Sequence, residues 1–410
     1  MTDTGAGVVI IGGGHAGGSA AAFLRQFGYA DPITVVGEEP IAPYQRPPLS
    51  KAWLKGEADA ESLMLRPQSF YDEYAITLRL GVTATALNRA ARTVALSDGA
   101  SLAYDTLIIA TGARARRLTI PGHNLDGVQV LRSAADAETL KSALGPGKRL
   151  VVVGGGYIGL EAAASARALG ADAVVVEVMP RILARGACET LSDFFTSYHR
   201  AKGVTFELNA RIENFEGKDG KVTGVRLAGG RVIACDVAVV GVGIHPNEEL
   251  ARDAGLECHN GVVVDEQAHT SDPAIYAIGD VTQRPMPLYE RSHRLESVAN
   301  ALEQARQAAS AIAGRPAPPH EVTWNWSDQY DLKLQLGGIN FEGDTTIVRG
   351  DPAQAKFAVF HLKDGVIQAV EAVNAPAEFM AGRQLIGQRK RVDVARLADP
   401  AVSMKEVAAG

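Results

Sequence analysis

Two short glycine runs hold the residues best suited to chemistry. Gly12-Gly13-Gly14-His15-Ala16-Gly17 follows the apolar run Val8 to Ile11, and Gly154-Gly155-Gly156-Tyr157-Ile158-Gly159 follows Leu150 to Val153. Each is answered downstream by an acid: Glu38 and Glu39 close the run Ile33 to Val36, and Glu177 closes Ala173 to Val176. A GxGxxG between a strand and a helix suits a pyrophosphate. Its first glycine permits the tight turn, its second lets phosphate approach the backbone, and its third lets helix and strand pack closely. The phosphates rest on the helix N-terminus while the distal acid accepts hydrogen bonds from a ribose diol. With 43 glycines in 410 residues, a lone match arises by chance. Strand, helix and acid recurring twice in the same order do not, and two such sites imply two dinucleotides brought face to face for electron transfer.

The elements that must position these residues follow from hydrophobic patterning. The first unit runs strand, glycine turn, helix to about Phe27, then the strand Ile33 to Val36. A Pro-rich loop, a helical stretch from Ala52 to Tyr74 and short strands with a turn at Ser97-Asp98-Gly99 lead to the apolar run Thr106 to Ala110. The second unit has its crossover from Gly156 to Leu169 and ends at Val237 to Gly243. A strand Ala274 to Ile278 then returns to the first sheet, so the second dinucleotide domain is inserted into the first. A helix from Ser297 to Ala313 closes that domain, and Gly314 to Pro319 reads as a linker. Beyond it, Leu332, Leu334 and Leu336 alternate on one face, Lys363-Asp364-Gly365 signals a hairpin, and a helix spans Glu378 to Ile386. The expected architecture is α/β: two Rossmann-like domains, one of residues 1–112 and 244–318 and one of 113–243, plus a small α+β domain at 319–410.

Composition bounds the function. An apolar share of 46% suits globular domains with ample core. No apolar run is long enough to cross a membrane, and Met1-Thr2-Asp3-Thr4 leads straight into the first strand without a signal peptide, so the cytoplasm is expected. A net charge of −6 argues against nucleic acid as a partner. Cys188, Cys235 and Cys258 form no CxxC and read as core thiols, and the 9 histidines show no metal-ligand spacing, so no metal is expected.

Short motifs refine the two sites. Ala110-Thr111-Gly112 and Gly279-Asp280 each end a strand, where ligands lie in such sheets. Asp280 is placed to accept from a ribityl hydroxyl. That marks the first site for FAD and leaves NAD, with Val242 and Gly243 at its far edge, to the second.

Arg46-Pro47-Pro48-Leu49-Ser50-Lys51, Glu296-Ser297-Val298-Ala299-Asn300-Ala301 and Trp326-Ser327-Asp328-Gln329-Tyr330 resemble the FAD-dependent ferredoxin reductases of cytochrome P450 and aromatic-dioxygenase systems. The resemblance runs in order along essentially the whole chain and implies a glutathione reductase-like fold. It implies that Arg46, Lys51, Ala84, Arg132, Ser297, Val298 and Trp326 contact FAD, with Lys51 near the reactive flavin nitrogen, Glu161 its ionic neighbour, and Trp326 at the ring edge. One departure is Asn325, where such proteins often carry an aromatic between two tryptophans. Disulfide reductases of similar plan carry a dithiol just after the first Rossmann unit, yet Pro40 to Lys51 holds no cysteine.

The expected activity is NADH-dependent reduction of a [2Fe–2S] ferredoxin through FAD, with Lys51, Glu161 and Trp326 at the reaction centre. Reduction of a small molecule or a rubredoxin is the enzymatic alternative, and a redox-signalling flavoprotein related distantly to apoptosis-inducing factor the non-enzymatic one. Glu177 should favour NADH over NADPH, with Arg181 and Arg185 near enough to soften the preference. A basic docking patch for an acidic ferredoxin is expected among Arg291, Arg294 and Arg389-Lys390-Arg391. The oligomeric state stays open.

Overall fold

A computed structural model describes residues 6–409. They form two compact units. The first takes the chain up to Arg46, Ala60–Arg114 and His245–Glu321; the second takes Pro47–Asp59, Ala115–Ile244 and Val322 onward.

In the first unit, Val8–Ile11 is apolar at every position because it is central in a sheet covered on both faces. The sheet is parallel throughout, in the order Ile275–Ala277, Thr106–Ile109, Val8–Ile11, Ile33–Gly37, Ile76–Leu80. One face carries the helices His15–Gln26 and Val298–Ile312, which meet through Ala20, Ala21, Ala301, Ala305 and Ala308. Alanines let two helices approach each other and the sheet closely. The other face packs Val9, Ile11, Leu107 and Ile109 on Val94 and Leu96 of a three-stranded meander, Ala84–Asn88, Thr93–Leu96 and Ser101–Ala103. Strand order reverses between Val8–Ile11 and Thr106–Ile109, and a ligand in such a sheet sits at the carboxyl ends of the strands beside that reversal.

The second unit repeats the plan with the parallel order Val204–Glu207, Asp172–Val176, Arg149–Val153, Val237–Val240, Val128–Gln129. Tyr157–Ala168 is its crossover helix. The unit also contains an antiparallel sheet, Trp324–Gln329, Leu332–Gly338, Val366–Val373, Lys356–Lys363, Thr345–Asp351, with the helix Pro376–Gln388 on one face. Leu332, Leu334 and Leu336 are all buried, as their alternation requires. The hairpin turns at Asp364 and Gly365, both with positive φ (51° and 77°), the geometry that Asp-Gly supplies cheaply.

The stretch expected as one helix from Ala52 to Tyr74 is three: Ala52–Lys55, Ala60–Leu63 and Gln68–Glu73. Gly56 ends the first in a left-handed conformation (φ 77°), and Pro67 precedes the last with extended backbone. Among the described residues, no helix is long and apolar enough to cross a membrane.

Candidate functional site

Both glycine runs adopt one geometry. Gly12 has φ +123°, and a Cβ there would lie 2.1 Å from the Ala110 carbonyl oxygen; Gly154 has φ +107°, with the Gly241 oxygen at 2.5 Å. A side chain at either position is therefore excluded twice, by conformation and by the neighbouring strand end. Cβ atoms on Gly17 and Gly159 would sit 2.0 Å from the Gly12 oxygen and 2.3 Å from the Gly154 oxygen, so each third glycine seats its helix on its strand. On Gly14 and Gly156 a Cβ would meet nothing within 4 Å. These middle glycines border open space. Each is the N-cap of a 12-residue helix without a side-chain cap or an acid in the first turn, leaving backbone N–H groups and the helix dipole available to an anion.

At the first run the structure gathers the expected neighbours. A Cβ on Gly279 would lie 3.0 Å from that of Ala16, so Gly279-Asp280 stands against the start of the fingerprint helix. Burial pulls the His15 imidazole below its ordinary value, opposed by the Asp280 carboxylate. Two buried nitrogens have no protein partner here: His15 Nδ1, and Gln304 Nε2, whose amide oxygen accepts from Gly279 N–H at 2.8 Å. Thr111 and Gly112 close the adjoining strand end, where the Thr111 hydroxyl donates to the Asn247 carbonyl at 2.7 Å. The two acids divide. Glu39 is taken up by Tyr44 and Arg46, both at 2.7 Å, whereas Glu38 is exposed at the strand end. Ser297 caps the closing helix by accepting from Asn300 N–H, which sets Val298 at its first position. Ala84 opens the meander.

At the second run Glu177 is built in. Its Oε2 accepts from Gly155 N–H at 2.7 Å and its Oε1 from Met179 N–H at 2.9 Å, so the acid and the glycine turn form one piece. Beside it Ile158, Val178 and Met179 are exposed apolar side chains, 46%, 61% and 43% accessible, of the kind that mark a binding surface. Val178 and Met179 escaped the sequence reading; their only signal was an apolar pair directly after the acid. Arg181, expected near the nucleotide acid, is engaged within its own loop: its guanidinium donates to the Ala184 and Ala187 carbonyls and to Ser192. Arg185 is exposed and stands beside Gly243.

A buried polar chain joins the pieces of the second unit. Glu161, 2% accessible, accepts from Lys51 Nζ at 2.7 Å and Ser50 Oγ at 2.5 Å on one oxygen and from Ser327 Oγ at 2.6 Å on the other. Gln329 Nε2 donates to Ser327 Oγ at 3.0 Å, and His199 Nε2 to Gln329 Oε1 at 2.7 Å. Burial drives the His199 imidazole down to about 4. Every donor in this series points toward Glu161. Ser50, Ser327, Gln329 and His199 carried no sequence signal as partners of Glu161, since they come from segments far apart in the chain. Trp326, on the same strand as Ser327, has its ring 5.5 Å from that of Trp324 and tilted 32° to it, with Asn325 the intervening residue in the chain. Arg132 lies just ahead of the helix Ala134–Ala143, and Asp136 accepts its backbone N–H at 3.0 Å.

The thiols are quiescent. Cys235 is buried as expected, but Cys188 and Cys258 are half-exposed. Burial, with nearby carboxylates, pushes Cys188 and Cys235 up to about 12 and Cys258 to about 11, so none is a nucleophilic thiolate near neutrality. Of the expected basic patch, Arg389, Lys390 and Arg391 are exposed at the end of Pro376–Gln388, and Arg291 is exposed. Arg294 is not a surface charge: it is 11% accessible and paired with Glu296 at 2.7 Å.

Two nucleotide-type cradles without a reactive dithiol define a dinucleotide-dependent redox protein. The chain belongs to the pyridine nucleotide-disulphide oxidoreductases, whose family pattern matches residues 6–305, and residues 324–408 match the reductase C-terminal domain. It is 50% identical to a probable ferredoxin reductase of Castellaniella defragrans, covering 98% of both chains. It is 40% identical to a rubredoxin-NAD(+) reductase of Pseudomonas putida, covering 90% of this chain and 96% of the other. The crystal structure of a covalent putidaredoxin reductase–putidaredoxin complex matches with a TM-score of 0.96 at 40% identity, over 98% of both chains. The residues present fit FAD and NADH: open middle glycines, capless helix N-termini, and at the first run two buried nitrogens that lack protein partners.

Proposed function

We propose that this protein takes electrons from NADH and delivers them through FAD to a [2Fe–2S] ferredoxin serving a cytochrome P450 or an aromatic-ring dioxygenase. The observation that carries the reading is the same open glycine cradle built twice, at the carboxyl edge of two parallel sheets in one chain. When bound, FAD accepts an electron pair from NADH and releases electrons singly. The chain's residues bind, orient and charge the site. We assign FAD to Gly12, Gly14, His15, Ala16, Gly17, Glu38, Ala84, Ala110, Thr111, Gly112, Gly279, Asp280, Ser297 and Val298, with Arg46, Lys51, Arg132 and Trp326 toward the flavin. Glu39 acts at one remove by holding Arg46. NADH falls to Gly154, Gly156, Tyr157, Ile158, Gly159, Glu177, Arg185, Val242 and Gly243, with Glu161 shared through Lys51.

Lys51 supplies positive charge whose value rises as the flavin gains electrons, and Glu161 fixes where that charge stands. The cytoplasm, which supplies NADH, is the assigned compartment. Purified protein should be yellow and release FAD on denaturation, and NADH should reduce a [2Fe–2S] ferredoxin with a higher kcat/KM than it does a rubredoxin. Colourless protein that FAD does not reconstitute overturns the cofactor assignment; preference for rubredoxin over every ferredoxin tried overturns the acceptor.

A further inference from the structure

Cys188, His361 and Glu371 meet inside the second unit, and nothing in the electron-transfer reading uses them. Cys188 caps the helix Glu189–Ala201; His361 and Glu371 lie on adjacent strands of the antiparallel sheet, Lys356–Lys363 and Val366–Val373. They share a sheet face with Phe357, Val359 and Val373, all fully buried, and Phe357 packs on Phe194 of that helix at 5.0 Å. On a face otherwise this apolar, an imidazole at 2% and a carboxyl at 6% accessibility need a strong reason to be there.

Their contacts describe a coordination set. One ligand atom from each, the Cys188 sulfur, a His361 nitrogen and a Glu371 oxygen, lie within 4.8 Å of one another. His361 Nε2 is 3.1 Å from Glu371 Oε1, while its other nitrogen, Nδ1, lies 3.4 Å from Thr346 Oγ1. Ligating histidines are oriented in this way, with the far nitrogen held by a second group. Glu371 is held in place by Cys188 N–H, at 3.2 Å from each of its oxygens.

We propose that Cys188, His361 and Glu371 form a binding site for a zinc-class divalent cation, with water completing a tetrahedral set. Thiolate, imidazole and carboxylate together select a borderline-soft cation over magnesium or calcium. On binding, the Cys188 thiol proton is released to solvent and the imidazole N–H resides on Nδ1, facing Thr346. The cation ties the antiparallel sheet to the helix following the 181–187 loop, and so to the loop that carries Arg185. Sequence spacing concealed this site because one ligand lies far from the other two and no pair has a motif interval.

The test uses the FAD-loaded protein, stripped with a chelator and titrated with zinc alone. We expect one zinc per chain after dialysis and an X-ray absorption fit with one sulfur at about 2.3 Å and nitrogen or oxygen neighbours at about 2.0–2.1 Å. Cys188→Ser should remove the sulfur shell and weaken binding at least about tenfold, and Thr346→Val should weaken it by about 10-fold while keeping the sulfur. Cys258→Ser is the control and should change neither. Flavin content and circular dichroism establish that each variant is folded. Wild-type protein that retains no stoichiometric zinc, or zinc without sulfur, or a sulfur shell that survives in Cys188→Ser, overturns the proposal.

Discussion

Glu177→Gln separates charge from shape at the second dinucleotide site. The wild-type carboxylate accepts Gly155 N–H at 2.7 Å and Met179 N–H at 2.9 Å, so alanine would strip the glycine turn of a partner and blur any effect on the nucleotide. Glutamine keeps an oxygen for Gly155 and removes the charge. A 2′-phosphate of NADPH would stand about 5 Å from that charge; with its near-double charge and an effective dielectric of roughly 40–60 at a half-exposed position, repulsion is about 2–3 kcal/mol. That corresponds to roughly 30- to 150-fold in kcat/KM for NADPH. NADH loses only the charge assistance on its ribose hydrogen bonds, about 1 kcal/mol or fivefold. The ratio of kcat/KM for NADPH to that for NADH should therefore rise about 100-fold or more, measured by steady-state reduction of ferricyanide at fixed ionic strength. Arg185→Ala on this background should return part of the NADPH gain, since Arg185 remains exposed beside Gly243 whereas Arg181 is occupied by Ala184, Ala187 and Ser192. A ratio that moves by less than about threefold, or wild-type protein that already uses NADPH as well as NADH, refutes the assignment of Glu177 to the ribose.

Lys51→Met should slow flavin reduction by NADH in stopped flow far more than it lowers flavin retention; it also strands the buried Glu161 carboxylate, so it should cost about 3 kcal/mol of stability, much of it recovered in Lys51→Met/Glu161→Gln. Unchanged reduction rates, or a double variant no more stable than Lys51→Met, count against the pairing. His199 should make stability depend on pH: its folded value of about 4 lies below the unfolded 6.5, so the unfolded chain takes up the proton first. Its contribution is complete above about pH 6.5 and is lost as pH falls toward 4, on the order of 3 kcal/mol. Urea midpoints at pH 7 and 4.5 should converge in His199→Gln; an identical pH slope in wild type and variant rules the group out as the cause. Charge reversal at Arg389, Lys390 and Arg391 should raise the KM for ferredoxin and flatten its salt dependence while leaving ferricyanide reduction intact, and a KM indifferent to all three places the docking charge elsewhere.

What the sequence exposed and what it hid differ in range along the chain. The glycine turns, the returning strand that ends at Gly279-Asp280, the leucine alternation at 332, 334 and 336 and the Asp364-Gly365 hairpin were legible because each is a contract between near neighbours. A positive φ, a pleat or a helix start needs a particular residue at a fixed offset. Where local signals competed, reading failed locally too: the stretch 52–74 reads as one helix until Gly56 takes a left-handed turn and Pro67 forces extended backbone. Glu161 was reachable through a family likeness as the neighbour of Lys51, but the reason its carboxylate can be buried was not. That reason is a set of donors drawn from a short turn (Ser50), one strand (Ser327 and Gln329) and another helix (His199), all distant in the chain and gathered by packing around the helix that carries Glu161. No spacing rule relates those positions, since a hydrogen bond across a core depends on the packed geometry and not on chain distance. The same reasoning separates Glu38 from Glu39: adjacent and alike in sequence, both just past the strand Ile33–Gly37, they diverge because Tyr44 and Arg46 claim Glu39 while Glu38 stays exposed. Residues proposed to hold a nucleotide through the backbone are thus written locally, whereas the partners that let Glu161 be buried are written in the fold.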